Sequence, residues 1–456
     1  MTDRTRQAAR GEDGRRERLE VAAWLLFAVS LGAMEGGVVS VMVKALYRQA
    51  VGAVTLDYAV AVLVGAPLFA GITCLGWAAV GLRGRSSRLL VNLQVLCVAC
   101  LLLLAAAPRN AAGLAMVLTG AVSARLLWSG VLTLRTSVWR LCYDREQRAG
   151  LAGRVVAAHY LAIAVTGISV GALVDSRPAA LPGLYLLIAG LGLAGAFLYR
   201  SLSRAAGPEP TLEAEADEPG RRSRPGSLRA VAGILREDPG FRRYLTWLFV
   251  LDCGVQMAAA PLLIGLADRF SFSHIEQILL ITAVPMVAVP LVMPLFARRL
   301  AQVHVIRFRA FHSWFYAASL AFSAAGLALR SEPCLWLGAA LLGVGYAGGS
   351  LTWQVGHHDF ATPEKAPHYM SLNVALNGVR GFVAPAAGVS LYRLAEHLLP
   401  GQGPLALLIP LGLAVWGSLG FAAMAREPLS IEESRREPSM PAALPSPLRP
   451  LEGALS

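Results

Sequence analysis

Charge is what this chain has least of. Only 15% of its 456 residues are Asp, Glu, Lys or Arg, against roughly 25% in soluble domains. With 55% hydrophobic residues and a mean hydropathy of +0.55, a water-soluble fold is excluded, because the surplus apolar surface would have no core to enter. Lysine is nearly missing: Lys44 and Lys365 are the only two. Neither stands in a GxxxxGK[ST] phosphate loop, so an ATP-driven pump acting through this chain alone is excluded. Cysteine is scarce too. The six present lie in or beside apolar segments, which is not the pattern of a secreted disulfide framework. Cys97-x-x-Cys100 falls inside the apolar run 89–107, where packing is the default over redox or metal chemistry. His357-His358-Asp359 has no further ligands at helical or hairpin spacing, so no metal site is expected. No cofactor is expected either. A membrane-embedded enzyme acting on lipid would need clustered His, or a Ser/Asp/His set at one depth, and none is present.

Long apolar runs are abundant. They cover about 21–43, 58–80, 89–107, 111–134, 155–174 and 181–199, then 244–267, 278–297, 310–329, 335–355, 369–391 and 405–425. Each is close to the roughly 20 residues that carry a helix across about 30 Å of hydrocarbon. The pattern predicts an all-α polytopic membrane protein of about twelve transmembrane helices in two six-helix bundles. The first bundle is expected over 21–202 and the second over 241–425. A cytoplasmic tail (1–20), a linker (203–240) and a disordered Pro-rich tail (426–456) complete the chain.

The net charge of +12 is not a nucleic-acid signal, because the basic residues sit in short segments between the runs and so set orientation. Arg83, Arg85 and Arg88, then Arg135, Arg140, Arg145, Arg148 and Arg154, then Arg298, Arg299, Arg307 and Arg309 fall on the side of the Arg-rich N-terminus. Both termini are therefore expected in the cytoplasm. The first run is about twice the length of a signal-peptide core and more helices follow, so it reads as an uncleaved span. The near-exclusive use of Arg over Lys reads as a trace of a GC-rich bacterium, and the bacterial inner membrane is the expected location. In the linker an acidic stretch precedes a basic one among prolines and glycines, a composition that cannot order itself. After it, Leu228, Val231, Ala232 and Leu235 recur at helical spacing, which predicts a short helix lying on the membrane surface.

The halves read as copies. Glu35-Gly36-Gly37-Val38 in the first run is matched by Asp252-Cys253-Gly254-Val255, 217 residues later. Trp139-Arg140 with Glu146 is matched by Trp353-Gln354 with Glu364. A duplicated six-helix bundle holding its substrate at the midplane is a transporter architecture.

These features resemble the major facilitator superfamily. The 6+6 layout with a long linker spans the whole chain. The loop YDREQRAGLAGR at 143–154 resembles the charged cytoplasmic loop of these carriers, and Arg125 followed by Gly130 resembles their buried arginine. Between helices 2 and 3 the chain keeps Gly76, Arg83, Arg85 and Arg88 but has no aspartate. In helix 5 it keeps Gly167 and Gly171 without the antiporter proline, while helix 11 carries Pro385-x-x-Gly388. The resemblance implies a secondary carrier that moves a small solute by alternating access, coupled to protons, acting as a monomer. Arg83, Arg85, Glu146, Arg148 and Glu364 are its expected cytoplasmic gating residues.

Away from segment ends the runs contain four formal charges: Glu35, Arg125, Asp252 and Arg380. Each would cost about 2.5–3.5 kcal/mol at the bilayer centre if exposed to lipid, so inward pairing is expected, one acid and one arginine per half. Glu35 with Arg125 is the candidate for proton coupling. Asp252 with Arg380 is expected to be a structural or substrate-facing pair. Trp128, Trp247, Gln256, Tyr346, Asn373 and Asn377 are the candidate cavity residues, with helix packing as their ordinary alternative. His159 and His312 read as interfacial residues near helix ends. A receptor or scaffold that keeps this fold without transporting remains open at this point.

Overall fold

The computed structural model describes residues 3–74, 76–77, 86–143, 145–205, 228–361 and 365–427. Arg83, Arg85 and Glu364 lie outside the described residues, as do the side chains of Glu146 and Arg148, most of the linker, and the tail beyond 427.

The first span is broken: α1 (Asp3–Ala33) ends two residues before α2 (Gly36–Tyr47) begins. The first half continues with α3 (Ala53–Phe69), α4 (Ser86–Ala106), α5 (Ala111–Cys142), α6 (Arg145–Ser176) and α7 (Leu181–Ala205). A short helix α8 (Leu228–Glu237) packs against two helices of the second half, those at Pro239–Arg269 and Ala366–Leu398. That half holds α9 (Pro239–Arg269), then α10 (His274–Ile278) and α11 (Val284–Leu300), joined by a π-turn over Leu279–Ala283. It ends with α12 (Val305–Leu329), α13 (Glu332–Val355), α14 (Ala366–Leu398) and α15 (Leu408–Arg426). Local chemistry sets several starts. Asn110 accepts from the Gly113 amide, and Asp238 accepts from the Phe241 amide with Pro239 opening the helix, satisfying amides that have no partner inside the helix. Ser273 and Glu276 form a reciprocal capping box,.

Among the described residues, eleven helical stretches are long and apolar enough to cross a membrane. The twelfth span, α12, is 25 residues long but carries Arg309, His312, Ser313, Ser319 and Ser323. All five are buried inside the bundle, so their polarity lowers the hydropathy of the span without meeting lipid. The lipid-facing surface is apolar instead, with Leu187, Leu291, Leu295, Phe382 and Val383 all more than half exposed.

The packing repeats between halves. α4 lies on α5 as α12 lies on α13, α1 lies on α7 as α9 lies on α15, and α4 lies on α7 as α12 lies on α15. Two seams join the halves, α3 against α14 and α6 against α10–α11, and they are themselves equivalent. Both depend on small residues. A Cβ added at Gly65 of α3 would stand 2.1 Å from the Gly381 carbonyl oxygen of α14, and one at Gly171 of α6 would stand 2.9 Å from Ile275 Cα of α10. With twelve spans among the described residues, the two described ends, at Asp3 and Glu427, face the same side of the bundle.

Candidate functional site

The break in the first span places Glu35 in extended backbone (φ −64°, ψ 134°) as the residue that caps α2. Breaking a helix frees a carbonyl, here that of Met34. Arg125, buried on α5, donates from Nη2 to Met34 O at 3.0 Å and to Glu35 Oε2 at 2.5 Å. One guanidinium therefore satisfies the backbone of the break and neutralises the carboxylate beside it. Gly36 and Gly37 allow the break to sit this deep. A side chain at Gly36 would strike the Leu63 carbonyl of α3, and one at Gly37 would strike Thr282 Oγ1 in the π-turn. The irregular points of the first and eighth spans thus touch across the two halves.

In the second half, Arg380 on α14 donates from Nη2 to Asp252 Oδ2 on α9 at 3.0 Å. It also donates to Asn377 Oδ1, one turn before it, and lies over the Phe249 ring. Both arginines are enclosed, whereas the Glu35 and Asp252 side chains keep 20% and 21% exposure. Between the two pairs stand three tyrosines. Tyr160 of α6 and Ser350 of α13 share a hydrogen bond of 3.2 Å across the halves. Tyr346, one turn from Ser350, lies within electrostatic reach of both Glu35 and Asp252 and packs edge-on to Tyr316 at 6.1 Å.

The other sequence candidates are distributed around this centre. Trp128 stacks on His159 at 5.4 Å and joins Trp24 and Phe27 in the first half. Gln256 is half-buried one turn beyond Asp252. Asn373 is buried one turn before Asn377. Trp247 lies on the α15 side of α9, against Trp416 and Gly420. His312, expected at an interface, is fully buried in the second-half core. Cys97 is also buried, with its thiol toward the Ala124 carbonyl.

The four charges away from segment ends are joined by buried charges at the segment ends. Glu20, Asp57 and Arg309 are also buried, at 4%, 0% and 3% exposure. Glu20 accepts from Trp139 Nε1 and Tyr143 OH, and Arg135 covers the Trp24 and Trp139 rings nearby. Arg309, grouped from sequence with the cytoplasmic loop, points into the bundle. Hydropathy missed these residues because a charge ends an apolar run whether or not the protein buries it. Asp57 and Arg309 each stand one position before a run, and Glu20 does the same. A usable signal was present in the spacing of Arg309, His312, Ser313 and Tyr316, which share one helical face.

The helix ends opposite the termini carry a second set of charges. Lys44 at the end of α2 bridges Asp57 Oδ1 at 3.1 Å and Asp268 Oδ1 of α9 at 3.2 Å. Arg393 of α14 pairs with Asp57 Oδ2. At the other seam, Asp175 at the end of α6 accepts from the amides of His274 and Ile275, both at 2.9 Å, and from His274 Nδ1 at 2.7 Å. Both clasps cross between halves. On the terminus side the described pairs Glu17–Arg154 and Arg243–Glu427 each stay within one half.

A family model described as Major Facilitator Superfamily matches residues 19–385. Solved structures share the fold at low identity. A POT family transporter in complex with a thioalcohol-conjugated peptide superposes with a TM-score of 0.67 at 14% identity, covering 89% of this chain and 96% of that one. The nucleoside transporter NupG gives 0.62 at 12% identity over 91% and 99%. A bacterial homologue of the iron transporter ferroportin, in an inward-facing state, gives 0.60 at 15% over 91% and 99%. No curated protein sequence matches the chain significantly.

Proposed function

The chain belongs to the major facilitator superfamily, a multi-pass membrane transporter family, and from that premise we propose that it is a proton-coupled secondary carrier in a bacterial inner membrane. Its termini lie in the cytoplasm, and it moves a small solute by rocking one half against the other. The observation that carries the coupling is the placement of Glu35. Its carboxylate is partly exposed between the halves, held by one guanidinium, and located at a helix break that touches the opposite half.

Desolvation disfavours an ionised carboxylate, while an adjacent guanidinium favours it. Rocking that parts Glu35 from Arg125 would therefore let the carboxyl take a proton, and re-forming the pair would release it. The break provides the movable joint, since Glu35 can shift with α2 without unwinding a continuous helix. Arg125 would not be left bare, because the Met34 carbonyl remains as its partner. The clasps Lys44–Asp57–Asp268–Arg393 and Asp175–His274 close the face opposite the termini, so the solute path in this state leads toward the terminus side. Solute contacts fall to the groups around the pairs: Trp128, Tyr160, Tyr346, Gln256, Asn373 and Asn377, with Asp252–Arg380 on the second half.

Counterflow and uptake in proteoliposomes, run on a panel of labelled solutes with and without a pH gradient, test the reading. Once a solute is found, Glu35→Gln should abolish accumulation against its gradient and keep downhill exchange. Accumulation by Glu35→Gln with unchanged pH dependence would remove Glu35 from the coupling step. Counterflow of no solute by wild-type protein would favour a non-transporting role.

A further inference from the structure

Arg309 is a buried charge that neither of the two central ion pairs uses. It stands on the enclosed face of α12 with His312, Ser313 and Tyr316, and that face packs on α13. Glycines on α13 allow the close fit: a Cβ at Gly348 would stand 2.3 Å from the His312 ring, and one at Gly349 would stand 2.3 Å from the Tyr316 hydroxyl. Arg309 is 3% exposed, and among the described residues no carboxylate lies within ion-pair distance of it. Asp252 is the acid that it senses electrostatically, and that carboxylate is already engaged by Arg380.

The surroundings of Arg309 are polar and unsatisfied. Its Nε, both ring nitrogens of His312, Ser313 Oγ and the Tyr244 hydroxyl are all enclosed without a well-formed hydrogen bond among the described residues, with the Tyr244 hydroxyl beside the guanidinium and His312 near the Gly345 backbone. Buried polar groups are as a rule bonded, and a cluster of exceptions requires a guest. Water could satisfy the hydroxyls and the imidazole, but it would not neutralise the guanidinium, which does not deprotonate and is expensive to keep as an isolated buried charge. The missing component is a negative charge that accepts hydrogen bonds.

We propose that Arg309, together with Tyr244, His312 and Ser313, forms a binding site for a monovalent anion within the second half. The guanidinium supplies charge and N–H donors, the hydroxyls of Tyr244 and Ser313 donate O–H, and neutral His312 donates one N–H. An inorganic anion such as chloride and the carboxylate end of a carried solute share this chemistry. The site stands independently of the Glu35 coupling, and its occupancy is readable without transport.

The test is thermal unfolding of the purified full-length protein in detergent, at constant ionic strength set with sodium sulfate, during titration with sodium chloride or sodium acetate. A saturable rise in the midpoint is expected with at least one of them. Chloride acting alone assigns an inorganic ion, and acetate acting more strongly assigns a solute carboxylate. Arg309→Gln should abolish the saturable rise. Tyr244→Phe with Ser313→Ala keeps the charge and removes two donors, and should weaken the apparent affinity by about tenfold or more; this variant decides the matter if Arg309→Gln does not fold. No saturable rise in the wild type, an equal rise in Arg309→Gln, or unchanged affinity in the double variant overturns the site.

Discussion

The two halves place an acid at equivalent positions, Glu35 and Asp252, yet recruit their arginines from non-equivalent helices. Glu35 is met by Arg125 from the fourth span, and Asp252 by Arg380 from the eleventh. The backbones differ as well. α1 breaks before Glu35, and Arg125 is bonded to the break, whereas α9 runs unbroken from Pro239 to Arg269 through Asp252. The charge pair of the first half is therefore tied to a joint, and that of the second half to a rigid helix. A duplicated bundle can thus keep its packing plan while breaking the backbone beside the acid in one copy and keeping it continuous in the other.

The largest effect that would break this comparison comes from Arg125. Arg125→Ala strands the Met34 carbonyl and the Glu35 carboxylate together, and removing one partner of an enclosed pair costs about 3–5 kcal/mol. Monodisperse yield on size exclusion should collapse. Full yield with an unchanged unfolding midpoint would mean that the break does not depend on Arg125.

A smaller effect, of opposite logic, is expected in the second half. Asp252→Asn and Arg380→Gln should each lower yield, and the double variant should recover most of it, because Asn377 and Phe249 already line the site and the remaining amides need no counter-charge. If the single variants fold normally and only transport fails, the pair acts on the solute and the rigid half has a functional charge of its own.

The smallest effect belongs to the far-side clasps. Asp175→Asn removes the charge that caps α10 while leaving an acceptor. Exposed pairs of this kind contribute roughly 0–1 kcal/mol, so stability should hardly move. The balance between the two faces should move instead, toward opening opposite the termini. Labelling of a cysteine placed at Ser273 should become several-fold faster in Asp175→Asn. An unchanged rate would show that the seam is held by its glycine packing alone.

Much of the architecture was legible in the sequence because hydrophobic length and charge bias are local properties. The 6+6 order, the equivalence of Glu35 with Asp252, and the four deep charges all followed from them. Relative depth in the membrane was not legible in this way. At 1.5 Å per residue Glu35 and Arg125 differ by roughly 8 Å along the membrane normal, yet they touch, because the chain breaks at Met34 and the arginine reaches across. The first apolar run gave no sign of that break beyond Gly36-Gly37, and glycine pairs also occur in unbroken membrane helices. The π-turn before Pro285 was legible only as a proline-rich segment.

What the sequence determined by itself is the solvent of this protein, the number and order of its spans, and which charges lie far from any segment end. Those follow from transfer free energy summed along the chain. That Arg125 bonds the Met34 carbonyl of the break as well as Glu35, that Arg309 is enclosed without a counter-charge, and that Lys44, Asp57, Asp268 and Arg393 converge were decided by tertiary structure alone. Each depends on the rotation and crossing of helices far apart in sequence, and those are set by where glycine and alanine let two backbones approach.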